Sequence, residues 1–559
     1  IAKPEPATPR PRPKTEKAVA DLPEIAVIGM AGQVPGAADI EAFWRNLKQG
    51  VDGVSALSGV YVNGDNDLAA SVIFGGILEE RACFDPQFFN ISPREAKSMN
   101  PHQRLIMLEG WKAMEDAGYD PKRLTDLSVG CFVGAEPAGY FHETFTGSSD
   151  AIIAARLAYF LNLKGPAMVI NTGCSSSGTA LHLACESLRH GDTDMALAGG
   201  VFACLGETGL DSLAQLDMLS ASGHCNAFDA DADGTVFSEA VGMVFLKRLD
   251  DAMRDGDPIH GVIAASGVNQ DGASNGITAP NGDSQERLIL RTYEKFSIDP
   301  DQISYVETHG TGTPLGDPVE ANALVRAFKH HTDRTGYCTI GSAKAHIGHA
   351  AASAGVIGLI KVLLSLKHEE IPALLNFKRL NPHIQFEGSP FVIPTKNRPW
   401  PKGHELRFAA LNSFGHSGTN VHLVIREHHQ ESTPATNSGD EKPYLFPLSA
   451  TNTERLSQYA RKLGDFLEDA NVALRDLAYS LQIGRTRLKH SVCFAASDIA
   501  TLRAQLMAFA DGSSVSDVKD ALPRDWNELY ADPAPRRINI PTYPFAKTRF
   551  WMAEKERSE

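Results

Sequence analysis

The stretch VINTGCSSSGTALHLACESLRHG, residues 169–191, sets Cys174 between an apolar, partly β-branched run and a segment with helical spacing. Ala180, Leu181, Ala184, Cys185 and Leu188 share one broad face of that segment, which predicts a helix over 175–189. Cys174 would stand at its N-terminus, where unpaired N–H groups and the positive end of the helix dipole favour a thiolate. Gly173 and Gly178 leave room for another chain segment or a ligand. Taken alone, Cys174 reads equally as a structural thiol, because free cysteine is among the most buried residue types.

Two further stretches carry titratable groups. In YVETHGTGTPLGDPVEANAL (305–324) an apolar strand ends at His309, and a Gly/Thr loop leads into a helix opening near Asp317; a strand-end imidazole beside a small-residue loop faces a cleft or fills a core. GSAKAHIGHAAASAGVIGLIK (341–361) holds Lys344, His346 and His349 before a long apolar helix. The His-x-x-His spacing has no acidic or cysteine neighbour, so it argues against zinc. DADADGTVFSEA (229–240) opens like a calcium loop but has Ala240 where the last acid belongs. GHSGT (415–419) ends in Thr419 where a nucleophile elbow has glycine, which disfavours Ser417 as a nucleophile.

The elements that must position these residues alternate. Buried strands are predicted at EIAVIGMAG, VGCFVGA, AMVINTG, MALAGGV, GMVFLKRL, IHGVIAASGVN, ISYVETHG, YCTIGSAKA, FAALNSFG and TNVHLVIRE. Helix-like segments lie between them, including 93–119 and 353–368. The pattern predicts an α/β architecture over 24–428. Residues 1–23 read as a Pro-rich interdomain linker, 429–442 as a polar linker, and 443–530 as a small second α/β unit. The tail 531–559 carries PTYPFAKTRFW, whose aromatics predict that it packs back on the main body.

A length of 559 residues exceeds what one core serves. Of the residues, 43% are hydrophobic and 22% charged, as in globular proteins, and the net charge of −15 disfavours nucleic acid and anionic membrane as partners. No run reaches the length of a membrane span, and the N-terminus lacks the apolar region of a secretory signal. The eight cysteines (83, 131, 174, 185, 204, 225, 338, 493) show no CxxC, which fits reduced thiols in a cytoplasmic protein.

From IAVIGMAGQVPGA through FDPQFFNISPREAKSMNPHQRL, GCSSS, NQDGASNGITAPNG, ETHGTGTPLGDPVE and KAHIGHAAASAG to NSFGHSGTN, about 400 residues in order, the chain resembles the β-ketoacyl synthase family. In particular it is similar to ketosynthase domains of modular polyketide synthases. The resemblance implies a thiolase fold: a five-layer αβαβα sandwich of two duplicated halves, in a homodimer. It implies that Cys174 takes an acyl chain from an acyl carrier protein, and that His309 and His349 face a malonyl unit on the phosphopantetheine arm of a carrier protein. No cofactor or metal would be bound by the chain itself. By the same resemblance, the N–H groups of Cys174 and His416 would hold the thioester oxyanion. Lys344, together with Glu320, would order the polar network, and Thr311, Thr313 and Phe414 would contact substrate. The tail after only a small α/β unit resembles the flanking linker domain of trans-acyltransferase synthases, which implies a separate acyltransferase and other synthase domains as partners. The chain departs from the family pattern at Asn171, Gly173, Gly178 and His416, a change of charge and bulk beside Cys174. Decarboxylative elongation is the leading implication; chain branching by conjugate addition, acyl transfer without elongation, and a docking scaffold are the alternatives.

Overall fold

A computed structural model describes residues 22–57, 74–138, 140, 144–203, 218–401, 406–429, 443–513, 526–530 and 535–551. Apart from their ends, the expected linkers 1–23 and 429–442 lie outside the described residues, as does Cys204. Eleven strands form one hydrogen-bonded sheet: β1 (Ile25–Gln33), β2 (Val129–Ala135), β3 (Ala167–Ile170), β4 (Met195–Phe202), β5 (Ala240–Arg248), β6 (Gly261–Gln270), β7 (Ile303–Glu307), β8 (Cys338–Gly341), β9 (Phe391–Val392), β10 (Phe408–Phe414) and β11 (Thr419–Arg426). Their order is β9-β8-β7-β10-β11-β6-β1-β5-β4-β2-β3.

That order contains a repeat. The first half runs β3-β2-β4-β5-β1, with two parallel and then two antiparallel pairings. The second runs β8-β7-β10-β11-β6 with the same pairings, and β9 is an extra edge strand. The halves meet where Ile25–Val27 pairs antiparallel with Gly261–Ile263. At the far edge, β3 is paired on one side only, and its Met168 is 40% exposed.

Side-chain alternation divides each half between two cores. Ile25 and Val27 enter a central core while Ala26 and Ile28 enter an outer one. In the second half Leu411, Leu423 and Ile425 point to the centre, and Ala410 and Val424 to the opposite outer core. Helix α1 (Pro101–Asp116) covers β1 and β5, with α2 (Ile152–Leu161) beside it. Two central helices, α3 (Ser176–His190) and α6 (Ala354–Lys367), pack on each other and on both halves. On the other outer face lie α4 (Gly282–Phe296) and α5 (Gly316–Lys329). These are the five layers expected. The segment 93–119 differs from its reading as a single helical stretch: it breaks into Pro93–Ser98 and α1. Pro101 has no N–H to continue the first helix, and Asn100 caps the second by accepting the His102 N–H at 2.8 Å.

The central helix α6 is apolar on all sides, yet it carries Lys361, 1% exposed. Its ammonium donates to Glu307 at 2.8 Å, and the same carboxylate accepts the Tyr305 hydroxyl at 2.5 Å and the Ala343 N–H at 2.6 Å. A buried charge needs such partners. Glu307 thereby ties the end of β7 to the start of the segment holding Lys344 and His349, one residue short of the loop that carries His309.

The second unit pairs β12 (Tyr444–Ala450) antiparallel with β13 (His490–Ala496) under α7 (Thr453–Asp469), α8 (Leu474–Ile483) and α9 (Ile499–Ala510). Its Phe446, Leu463 and Leu477 join the outer core of the first half. Arg485 bridges the units by donating to the carbonyls of Glu115, Ile540 and Pro541. The aromatic tail then crosses the main body, with the Phe88 ring 4.6 Å from Tyr543 and 4.7 Å from Phe545. Replacing Lys361 with Met strands the Glu307 carboxylate, so K361M should lose about 3–5 kcal/mol. Calorimetry should show a lowered Tm that E307Q/K361M partly restores; an unchanged Tm in K361M would show that the pair is dispensable.

Candidate active site

Cys174 sits on a turn rather than in a helix. Ser175 occupies the cap position of α3, which begins at Ser176, so Cys174 stands just outside. Gly173 has φ +66, a left-handed conformation suited to glycine, and lets β3 reverse into the helix. The serines account for the rest of the turn. Ser175 Oγ donates to the Thr172 carbonyl at 3.0 Å, Ser176 Oγ accepts the Thr172 N–H at 2.9 Å, and Ser177 Oγ accepts the Val356 N–H of α6 at 3.1 Å. Asn171 Oδ1 accepts the Gly173 N–H at 3.1 Å. Gly178 does not face the reactive thiol, contrary to the expectation drawn from its departure. A Cβ there would come within 3.1 Å of Ser413 and 3.3 Å of Val421, so Gly178 packs on β10 and β11, while Gly355 of α6 lies against its backbone and sets the distance between the two central helices.

The His309 loop is held from below. Glu320 accepts the N–H groups of His309 and Gly310, both at 2.8 Å, and the Asn412 amide at 2.8 Å. Asp317 accepts those of Thr311 at 3.1 Å, Gly312 at 3.2 Å and Phe228 at 2.7 Å. Asp317 lies in the first turn of α5, where the helix dipole favours negative charge, and Glu320 follows in the next turn. The Phe414 N–H donates to His309 Nδ1 at 3.3 Å, which leaves the proton of the neutral ring on Nε2. His349 packs nearly parallel to Phe237 at 5.4 Å, and its ring centroid is 5.5 Å from that of His309.

A cavity of about 950 Å³ joins these groups. Cys174, His309, His349, Phe414 and His416 line it, and Thr311, Thr313 and Glu320 stand along the same wall. The turn 415–418 between β10 and β11, closed by the Gly418 N–H on the Gly415 carbonyl at 2.8 Å, carries His416 over Cys174. Ser417 Oγ donates to the Thr172 carbonyl at 3.0 Å, which docks this turn on the cysteine turn and gives the hydroxyl a structural use. His346 points elsewhere, its Nε2 bonded to the Ala373 carbonyl at 3.1 Å. In the near-calcium stretch, Asp229 accepts the N–H groups of Lys378 and Arg379 and Asp233 that of Ser222, so both carboxylates serve the loop itself.

Lys344 makes no ion pair with Glu320 among the described residues, because the oxygens of Glu320 are taken by N–H donors; the two interact through their charges. Lys344 is buried behind the imidazoles and acts through its field: burial lowers its own pKa, Glu307 and Glu320 oppose that, and its charge pushes His309 and His349 down. Desolvation is the larger cause for both histidines, which are held well below the usual imidazole range and so stay neutral. Asp317 is pushed up to about 7, chiefly by burial and next by Glu320, against the N–H groups that favour its charge.

The helix-stabilised thiolate expected at Cys174 is also overturned. Burial, reinforced by Glu136, pushes the thiol up to about 12; Lys344 and the backbone N–H groups of His416 and Cys174 lower it by less. Those two N–H groups act on the sulfur, next to where the carbonyl oxygen of an attacked thioester would take up negative charge. Glu136, at the end of β2, escaped the sequence reading, as did Asp317 as a loop anchor. A carboxylate directly after a wholly buried strand was the one signal for Glu136. Because the raised value keeps the thiol protonated at neutral pH, iodoacetamide alkylation of Cys174 should climb about tenfold per pH unit, without levelling below about pH 10. Peptide mass spectrometry would follow the adduct; a plateau near pH 7 would restore the thiolate.

Family models match in three places: the Beta-ketoacyl synthase N-terminal domain over residues 23–252, its C-terminal domain over 260–378, and a RhiE-like KS-MAT linker domain over 447–513. Polyketide synthase PksL of Bacillus subtilis (strain 168) is 40% identical across 96% of this chain, and PksM of the same organism 39% across 95%. The chain spans 13% and 14% of those proteins. The ketosynthase from module 6 of the bacillaene synthase of Bacillus subtilis 168 superposes with a TM-score of 0.87 at 38% identity, covering 95% of this chain and 100% of that one. The oxazolomycin ketosynthase domain OzmH KS7 of Streptomyces albus JA3453 gives 0.86 at 34%, over 94% and 98%. With the cysteine and two histidines in one cavity of this duplicated fold, the chain belongs to the β-ketoacyl synthase family, as a ketosynthase of the polyketide synthase type with its flanking linker domain.

Proposed function

We propose that the chain lengthens a carrier-bound acyl group by decarboxylative condensation with a malonyl unit on an acyl carrier protein. The observation that carries this reading is the pair of neutral imidazoles beside Cys174, with the His309 proton placed on Nε2 by the Phe414 N–H. Cys174 attacks the incoming thioester, the thiol proton leaves, and the pantetheine thiol departs. The tetrahedral oxyanion meets the N–H groups of Cys174 and His416. Loss of CO₂ from the malonyl group then leaves an enolate, whose oxygen accepts hydrogen bonds from the Nε2–H groups of His309 and His349. A neutral imidazole suits this task because it donates without giving up its proton. The enolate carbon attacks the Cys174 thioester, the new carbon–carbon bond forms and the thiolate is expelled.

Further parts of the reading rest on the same site and on the linker domain. The phosphopantetheine arm of the carrier protein lies along Thr311 and Thr313, which face the cavity; the chain itself binds no cofactor. The linker match and the similarity to PksL and PksM support an extender loaded by a separate acyltransferase, beside other synthase domains. The open edge of β3, with Met168 exposed, supports a homodimer in which a second copy continues the sheet. No described helix is long and apolar enough to cross a membrane, and the free thiols of Cys83, Cys131, Cys174, Cys185, Cys225 and Cys338 support a cytoplasmic setting.

Intact-protein mass spectrometry should show acylation by an acyl thioester that is lost in C174A. Adding malonyl carrier protein should then release CO₂ and a product two carbons longer. H309A should still load while condensation falls about 10²–10³-fold, the cost of one lost oxyanion donor; loading without extension in the wild-type chain would sink the elongation reading. By light scattering the chain should be a dimer that M168D weakens or splits.

A further inference from the structure

The cavity contains three imidazoles, and the condensation uses the side chains of two. The third, His416, is exposed, and its Nδ1 stands 3.7 Å from Cys174 Sγ, within reach of the thiol proton. Its ring fits there because residue 173 is glycine: a Cβ on Gly173 would lie 2.5 Å from His416 Cε1 and 2.6 Å from Nδ1. Behind the pair stands Glu136, most of it buried, with its Oε1 unpartnered among the described residues. The carboxyl interacts electrostatically with both His416 and Cys174.

We infer that the His416 side chain is a catalytic residue for acyl loading, taking the Cys174 proton as sulfur attacks, and that Glu136 is a positioning residue that favours the resulting imidazolium. The inference rests on the reading of Cys174 as the acyl acceptor. In the loading step the S–H proton passes to His416 Nδ1 while the sulfur–carbonyl bond forms. The tetrahedral intermediate then breaks its bond to the pantetheine sulfur, and His416 returns the proton to that leaving thiolate. No external oxidant or reductant is needed, and the proton is conserved.

The surroundings favour this division of labour. A thiol held protonated by burial needs a base at the moment of attack. His309 and His349 are desolvated and kept neutral, with Lys344 behind them, so a proton on either would be costly. His416 opens to solvent, where an imidazolium keeps part of its hydration. The groups acting on it are the Cys174 thiol, Glu136 after β2, and His349 from the segment before α6. Asp271 at the end of β6 lines the same cavity, but its carboxyl is engaged by the Asn420 amide at 2.7 Å.

The test uses the whole chain and a simple acyl thioester of N-acetylcysteamine, with loading on Cys174 followed by intact-protein mass spectrometry from pH 5.5 to about 9. H416A keeps its backbone N–H, and it should load about 100-fold more slowly and lose the rise of rate with pH that a base imposes. E136Q should slow loading less than H416A and add little in the H416A background, whereas a purely structural carboxylate would slow both backgrounds alike. Matched circular dichroism and Tm would separate these effects from misfolding. If the wild-type chain never labels Cys174, the condensation reading fails. If it labels and H416A matches its rate and pH profile, the role of His416 is overturned while that reading stands.

Discussion

Four successive backbone N–H groups, those of residues 309–312, point into the protein and are all taken by two side chains, Glu320 and Asp317. Each such group left unsatisfied would cost about 1–3 kcal/mol, so the loop has little freedom to adopt another course. The same loop carries His309, Thr311 and Thr313 into the cavity. Asp317 is held in turn by the dipole of α5 and by Phe228, and Glu320 by Asn412. Asn412 Oδ1 also accepts from His422 Nδ1 at 2.7 Å, which links the loop through β10 to β11. The position of one imidazole is thereby fixed by contacts from three separate elements.

The duplicated fold explains why the reacting groups meet at all. Cys174 follows β3 of the first half and the His349 segment follows β8 of the second, at equivalent places in the repeat. Each precedes one of the two central helices, α3 and α6, which cross where Gly355 allows close approach to the backbone of Gly178. Ser177 locks that crossing by accepting the Val356 N–H. Nucleophile and enolate-stabilising histidine are thus brought together by the central layer, while β7 and β10 supply His309 and the N–H that sets its tautomer. The Glu307–Lys361 pair joins β7 to α6 in the same layer.

Much of this was legible in the sequence. Alternating apolar runs locate the strands, and the family resemblance carried by GCSSS, HGTGT and KAHIGH groups Cys174, His309 and His349. What escaped had no local sign. The strand-helix turn at Cys174 suggested a thiolate, but exposure decides thiol acidity, and burial at 8% exposure outweighs a helix end. Lys344 acts on Glu320 through its charge rather than as an ion pair, because the His309, Gly310 and Asn412 donors occupy the carboxylate. Gly178 reads as a pocket residue because it follows the cysteine closely, yet its Cβ direction meets Ser413 and Val421 of β10 and β11.

The electrostatics of the cavity divide along exposure. His309 and His349 are desolvated, which serves donation to an enolate and works against proton uptake. His416 stands at the open side, against the one sulfur that must lose a proton. A single environment could not suit both tasks: the dryness that strengthens a hydrogen bond to an enolate also makes an imidazolium costly. Placing the third imidazole on a surface turn resolves that conflict, and it requires that residue 173 have no side chain, because the ring occupies the space a Cβ would take. The glycine beside the nucleophile and the histidine 243 positions later are therefore one structural feature, joined by a contact that neither residue announces alone.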